Sequence, residues 1–246
     1  MKRYKADLHI HTVLSPCGSL DMSPVNIVTK ALAAGLDMIG ITDHNTTRQC
    51  AEVHRVGQLK GLYVLCGAEV TTKEEVHCLT FFENFEKLAA FQVYLDKYLP
   101  NIPNDAERFG YQVWVNAEEE IEGQEERLLI SAIDQSIDEV EHTVRQLEGL
   151  FIPAHIFRPS FSVYSQLGFM PFGIKPDAIE ISARYALSEP LNNHPELKAY
   201  TVLHSSDAHF PEQIGHHYSL LEMRAPDFQE LRMALQGTKG RKVISA

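Results

Sequence analysis

The chain has 246 residues, 44% of them hydrophobic and 22% charged, which is ordinary globular composition and argues against disorder. Its 22 Lys and Arg against 33 Asp and Glu leave a formal charge of −11, so it lacks the basic excess of a generic duplex or anionic-membrane binder. The four cysteines, Cys17, Cys50, Cys66 and Cys78, form no CxxC pair and are too few to staple a chain of this length.

Short apolar strands alternate with amphipathic helices, the pattern of a parallel α/β fold. Residues 4–10 read as a first strand. Ser23 then caps a helix with Pro24 at its first position and Gly35 at its close. Residues 37–42 are a second strand, and Asn45 or Thr46 starts a helix that runs to Gly61. A third strand at 62–70 and a fourth at 76–82 precede a helix over 84–98, stopped by Pro100. Residues 100–127 break the rhythm with Pro103, Gly110, the single tryptophan Trp114 and the run Glu118-Glu119-Glu120. They read as a solvated excursion on the rim, with a lid over the site as the alternative. A helix over 136–148 follows, then strands at 150–154, 178–182 and 200–205, an extended stretch at 218–224 and a last helix at 228–236. With no linker or repeat, residues 1–246 read as one domain. No run approaches the ~18 apolar residues of a membrane span, and MKRYKADLHIH lacks the apolar core of an export signal. Free thiols without export predict a cytoplasmic protein.

The chemistry lies at strand ends. His9 and His11 stand two apart on the first strand, so both imidazoles project from one face, and Asp7 shares it as a candidate to orient a ligand histidine. His44 follows the second strand in Thr42-Asp43-His44, and Glu69 ends the third in Gly67-Ala68-Glu69. His77 lies on the fourth strand, His155 ends the fifth in Ala154-His155, and Asp207 and His209 follow Ser206 after a later one. In a parallel barrel the strand C-termini gather on one face, so these eight imidazoles and carboxylates converge into a cage for divalent cations. Eight donors exceed one tetrahedral ion, and a carboxylate such as Glu69 can bridge two ions ~3.5–4 Å apart. Zn, Mn or Fe suits such a set.

The succession Asp7-Leu8-His9-Ile10-His11-Thr12, Thr42-Asp43-His44-Asn45, Gly67-Ala68-Glu69, Val76-His77, Ala154-His155 and Ser206-Asp207-Ala208-His209 resembles the PHP (polymerase and histidinol phosphatase) family over nearly the whole chain. The resemblance implies an α/β fold, a distorted (β/α)7 TIM-like barrel with a trinuclear metal site at the C-terminal face of the strands. It also implies metal-dependent hydrolysis of phosphate esters, with His9, His11, His44, Glu69, His77, His155, Asp207 and His209 as ligands and Glu69 bridging. Many family members carry a further Asp or His ligand shortly after the HxHT segment. Here that stretch is Leu14-Ser15-Pro16-Cys17-Gly18-Ser19-Leu20-Asp21, which leaves Cys17 as a thiolate that favours zinc, Asp21, or neither.

Arg158, three residues after His155, and Arg184, after the 178–182 strand, are candidate phosphate anchors, since a guanidinium grips phosphate oxygens in a bidentate way. With Glu69 and His209 they complete the candidate catalytic set. His204 is a candidate packing group behind it. His54, His142, His194, His216 and His217 read as surface or packing residues, and Cys50, Cys66 and Cys78 as small buried ones. The expected activity is hydrolysis of a small phosphomonoester or nucleotide-type substrate by a metal-activated hydroxide at two or three divalent ions. The competing readings are a 3′–5′ exonuclease on short single strands, a histidinol phosphate phosphatase, and a non-catalytic metal-binding module. Oligomeric state is not legible.

Overall fold

The computed structural model describes residues 1–182 and 193–244. In chain order the elements are β1 (Lys2–Ile10), α1 (Pro24–Ala33), β2 (Met38–Ile41), α2 (Cys50–Lys60), β3 (Tyr63–Thr71), β4 (His77–Phe82) and α3 (Phe85–Tyr98). There follow α4 (Ala106–Phe109), β5 (Val113–Val115), β6 (Ile121–Gln124), α5 (Ile137–Gln146), β7 (Leu150–Pro153), α6 (Val163–Leu167) and β8 (Ile179–Glu180). The last are β9 (Val202–Leu203), β10 (Ser219–Met223), α7 (Phe228–Leu235) and β11 (Lys242–Ile244). No helix among the described residues is long and apolar enough to cross a membrane.

Local chemistry accounts for the helix starts. Ser23 accepts the Asn26 N–H ahead of Pro24, Asn84 accepts the Lys87 N–H, and Ser136 and Glu139 form a reciprocal capping box. The second helix begins at Cys50 rather than at Asn45 or Thr46, because those polar residues serve distant partners. Asn45 takes a left-handed φ of 48° and donates its side-chain amide to the Leu129 and Ser131 carbonyls. Thr47 donates through both its N–H and its hydroxyl to Gln92.

One curled sheet runs in the order β11-β10-β1-β2-β3-β4-β7. It is mixed rather than all-parallel: β4 runs antiparallel to both β3 and β7, and β10 antiparallel to β1. The turn between β3 and β4, residues 72–76, is too short for a parallel crossover, which needs a dozen residues or more. Gly67 is required where these strands meet, because a Cβ there would lie 1.8 Å from the Thr80 carbonyl oxygen. The parallel pair β8–β9 bridges the gap between β7 and β1. Ile156 donates to the Glu180 carbonyl on one side, and His11 donates to the Ala208 carbonyl on the other. The result is a distorted TIM-like barrel.

Ala6, Leu8, Met38, Leu65, Leu79, Phe81, Ile152 and Leu221 form the inner core, which α7 plugs with Phe228, Leu231 and Leu235. A second cluster fills the layer between the sheet and α1, α2, α3 and α5. Below the plug, Arg241 clasps Glu230 through two nitrogens, the nearer at 2.5 Å. These hydrogen bonds hold the Glu230 carboxyl down at about 2. Its contribution to stability is therefore present above the ordinary Glu range and disappears as pH falls through about 2. Glu230→Gln should lower the thermal midpoint at pH 7, and the gap from the parent should close between pH 5 and pH 2, as followed by calorimetry.

Residues 100–127 carry α4 and the β5–β6 hairpin and are docked on the rim. Gln49 exchanges two hydrogen bonds with the Val115 backbone, both 2.8 Å, and Val113 and Val115 pack on Val13. Gln112 ties the base of the hairpin through the Glu125, Arg127 and Leu129 backbones.

Candidate metal centre

The barrel mouth gathers side chains from every part of the chain. His9 comes from β1, His11 and His44 from the ends of β1 and β2, Glu69 from β3, His155 from the end of β7, and Asp207 and His209 from the loop after β9. His77 is the first residue of β4. The reversed direction of that strand is what brings its N-terminus to the mouth. Regular alternation from Ala6 and Leu8, which face the inner core, would turn His9 and His11 away. A register shift between Asp7 and Ile10 sets them inward.

Glu69 is the centre of the arrangement. Its Oε1 lies 2.9 Å from His77 Nδ1, 3.1 Å from His155 Nε2 and 3.3 Å from His9 Nε2. Its Oε2 lies 3.1 Å from His44 Nδ1 and 3.4 Å from His11 Nε2. Asp207 Oδ1, buried and without a geometric hydrogen-bond partner among the described residues, sits 3.3 and 3.4 Å from Nε2 of His9 and His11. His155 and Asp207 both adopt left-handed backbone, with φ of 30° and 52°. Such strain costs about 1–3 kcal/mol each and persists only where the surroundings hold it.

Three of the rings have a fixed tautomer. Ser15 donates its hydroxyl to Asp43, so its oxygen is the acceptor for His11 Nδ1–H at 2.9 Å. His9 Nδ1 faces both Glu180 oxygens at 3.2 Å, and His209 Nδ1 donates to the Asp207 carbonyl. In the neutral form of each ring Nε2 is thereby left as a lone pair aimed into the site, and the Nε2 atoms of His9 and His11 lie 3.2 Å apart. Converging lone pairs beside carboxylates repel one another unless a cation or proton lies among them. The donor set therefore fits divalent ions. Among the described residues, three trios have donor atoms within 4.8 Å of one another: His9, His11 and Glu69; His44, Glu69 and His77; and His11, His44 and His209.

Electrostatics agree. Burial alone would raise the Glu69 carboxyl, but the charges of His77 and His9 and hydrogen bonds with His11 and His155 hold it well below the carboxylate range. Burial works against charge on His9 as well, yet Glu180, Asp207 and Glu69 lift it well above its usual value. The same opposition leaves His11 at about 8, while burial and the charge of His11 push His209 down to about 4.

All eight expected donors thus meet at one mouth, and His155, Asp207 and His209 among them line a cleft of about 650 Å³. Cys17 lines that cleft and is exposed, and Asp21 is exposed with its carboxylate turned to Ser19; neither joins a donor trio among the described residues. Arg158 also lines it, its Nη1 3.1 Å from Asp207 Oδ2. Arg184 lies outside the described residues. His204 faces a separate cavity and the Ile181 carbonyl. Asp7 does not orient a histidine: it accepts the N–H groups of Ser206 and Gly215 and so shapes the loop that carries Asp207.

The residue missed in the sequence is Glu180. It holds His9 Nδ1 and also accepts the His155 N–H at 3.1 Å. Its signal was a single acid between Ile179 and Ile181 in an apolar strand. Glu180→Gln should weaken metal binding about 10–100-fold, the usual cost of losing a carboxylate behind a ligand histidine, measured by competition with a chelating dye.

A distorted α/β barrel with a cluster of imidazoles and carboxylates at its mouth that could hold metal ions is the class of structure these residues define. The chain belongs to the PHP domain family: the PHP domain matches residues 7–157, and the PHP-associated region matches residues 199–239. It is 26% identical over 282 aligned residues to the uncharacterized protein YqxK of Bacillus subtilis, covering 100% of this chain and 65% of that one. It is similar in fold to endonuclease Q solved with a 27-mer duplex carrying an abasic lesion at the active site (TM-score 0.75, 21% identity, 98% of this chain, 58% of that chain). It is also similar to a structure from Bifidobacterium adolescentis assigned as a metal-dependent phosphoesterase (TM-score 0.59, 21% identity, 83% and 87% covered). The chain spans less than two thirds of the length of YqxK and of endonuclease Q.

Proposed function

We propose that the chain is a metal-dependent hydrolase of phosphate esters. The observation that carries this reading is the single carboxylate of Glu69 set among five imidazoles, with both oxygens engaged. His9, His11, His44, Glu69, His77, His155, Asp207 and His209 would hold two or three divalent ions, Zn, Mn or Fe. Such ions supply Lewis acidity at a phosphoryl oxygen and make a water acidic enough to act near neutral pH.

The protein's own groups have distinct tasks. Glu180 and the Asp43–Ser15 pair lock the rings of His9 and His11, so that their Nε2 atoms stay turned to the site. Arg158 is 43% exposed and opens on the cleft, where its remaining N–H donors can meet phosphoryl oxygens. His209 is assigned to ligation rather than proton delivery: at about 4 it is neutral at pH 7, and its one N–H is committed to a backbone carbonyl. Arg158→Ala should raise KM for a phosphate ester roughly tenfold or more, the value of one charged hydrogen bond, with a smaller effect on kcat.

The substrate we favour is a small phosphomonoester or nucleotide, which suits a chain of charge −11. A second reading, cleavage of DNA phosphodiesters, draws support from the match of 98% of this chain to the DNA-bound endonuclease Q fold. Assays with p-nitrophenyl phosphate, nucleoside monophosphates, and single-stranded and abasic duplex oligonucleotides, each with added Mn²⁺ or Zn²⁺, separate the two. No turnover on any of them, with metal bound, would leave a binding module and sink the hydrolase reading.

A further inference from the structure

A second chemical site lies in the layer between β3 and α2. Cys66 on β3 and Cys50 at the start of α2 reach across to each other's backbone. The Cys66 Sγ lies 3.7 Å from the Cys50 carbonyl, and the Cys50 Sγ lies 3.4 Å from the carbonyl of Gly67, the residue bonded to Cys66. His54, one turn along α2 from Cys50, lines the same pocket as Cys66. Its ring is held in place: Nδ1 donates to the Val64 carbonyl at 3.1 Å, which leaves Nε2 as the base, and Phe85 packs edge-on at 5.2 Å. Cys66 and His54 line a pocket of about 240 Å³ with Tyr63, Phe82 and Phe85. Interaction with the Cys50 side chain, opposed by burial and reinforced by His54, draws the Cys66 thiol down, whereas burial holds Cys50 and Cys78 well above the ordinary thiol range.

We propose that Cys66 is a peroxide-reactive thiol and Cys50 its resolving partner, so that hydrogen peroxide converts the pair into a Cys50–Cys66 disulfide. The Cys66 sulfur attacks one peroxide oxygen. An S–O bond forms, the O–O bond breaks, and the departing hydroxide takes the thiol proton, passed to it by His54, to leave as water. Sulfur is oxidised by two electrons to the sulfenic acid and the peroxide is reduced. The Cys50 sulfur then attacks that sulfur: the S–S bond forms, the S–O bond breaks, and the hydroxide carries off the Cys50 proton as a second water. His54 serves as the local base that keeps Cys66 available as thiolate.

The experiment treats the reduced full chain with a few equivalents of hydrogen peroxide and follows intact mass and non-reducing peptide maps. Loss of two hydrogen atoms with residues 50 and 66 in one linked peptide is the expected result. Cys50→Ser should halt the reaction at a Cys66 sulfenic acid that dimedone traps, and His54→Gln should slow thiol loss several-fold. If Cys50→Ser does not fold, dimedone competition on the parent chain traps the same intermediate. Oxidation confined to the exposed Cys17, linkage to Cys17 or Cys78, or a Cys66 no more reactive than Cys78 would overturn the proposal. No readout uses hydrolysis, so its outcome is independent of the activity at the barrel mouth.

Discussion

Replacing Glu69 with Gln should lower phosphoester hydrolysis by roughly a thousandfold or more, the loss expected when Lewis-acid stabilisation worth several kcal/mol is removed at 1.36 kcal/mol per tenfold. The substitution keeps the shape of a side chain that is 1% exposed, so β3 and its hairpin partner have no steric reason to move. It removes the one negative charge that all five imidazoles face, and it replaces one acceptor oxygen with an amide donor that points at a lone pair. Metal content, circular dichroism and turnover on the same preparation check the prediction. A folded Glu69→Gln chain with parental turnover would remove Glu69 from the centre of the mechanism.

Chelation should destabilise the chain strongly and in a pH-dependent way. An ion at a thousand times its dissociation constant contributes about 4.1 kcal/mol. For a chain of this size that corresponds to a fall of roughly 8–16 °C in Tm on adding EDTA. The sign with pH follows from the histidines. His11 is lifted to about 8 and His9 is also raised, so below that range an incoming cation must displace protons, and its stabilising effect weakens as pH falls. Without a cation, the same raised groups contribute stability below the ordinary His range and lose it as pH rises through about 8. Both effects act in one direction: the Tm gap between metal-loaded and chelated chain should be wide at pH 8.5 and narrow at pH 5.5. A gap that is flat or reversed across that range would rule out proton–metal competition at these rings.

Much of this was legible along the chain. Each donor sits beside an apolar strand, and a strand end beside polar ligand chemistry reads locally in HxH, TDH and DAH. Ser23, Asn84 and Ser136 announce helix starts because a cap needs only its own first turn. Asn45 and Thr46 misled for the complementary reason: their hydrogen bonds go to Leu129, Ser131 and Gln92, contacts that no local window contains.

Strand direction and ring orientation belong to the folded state. The short turn after Thr71 hints at a hairpin, but that His77 thereby joins the mouth depends on β4 lying between β3 and β7. The inward turn of His9 and His11 needs the register shift of β1 against β2, and their tautomers are set by Glu180 and by the Ser15–Asp43 pair, the first of these 171 residues from His9. The kinds of donor, their number and their order are covalent facts that the amino-acid sequence alone determined. Which nitrogen carries the proton, which face a strand presents and which acid stands behind a ring were decided only by tertiary packing, because each depends on groups that chain closure brings within hydrogen-bond reach.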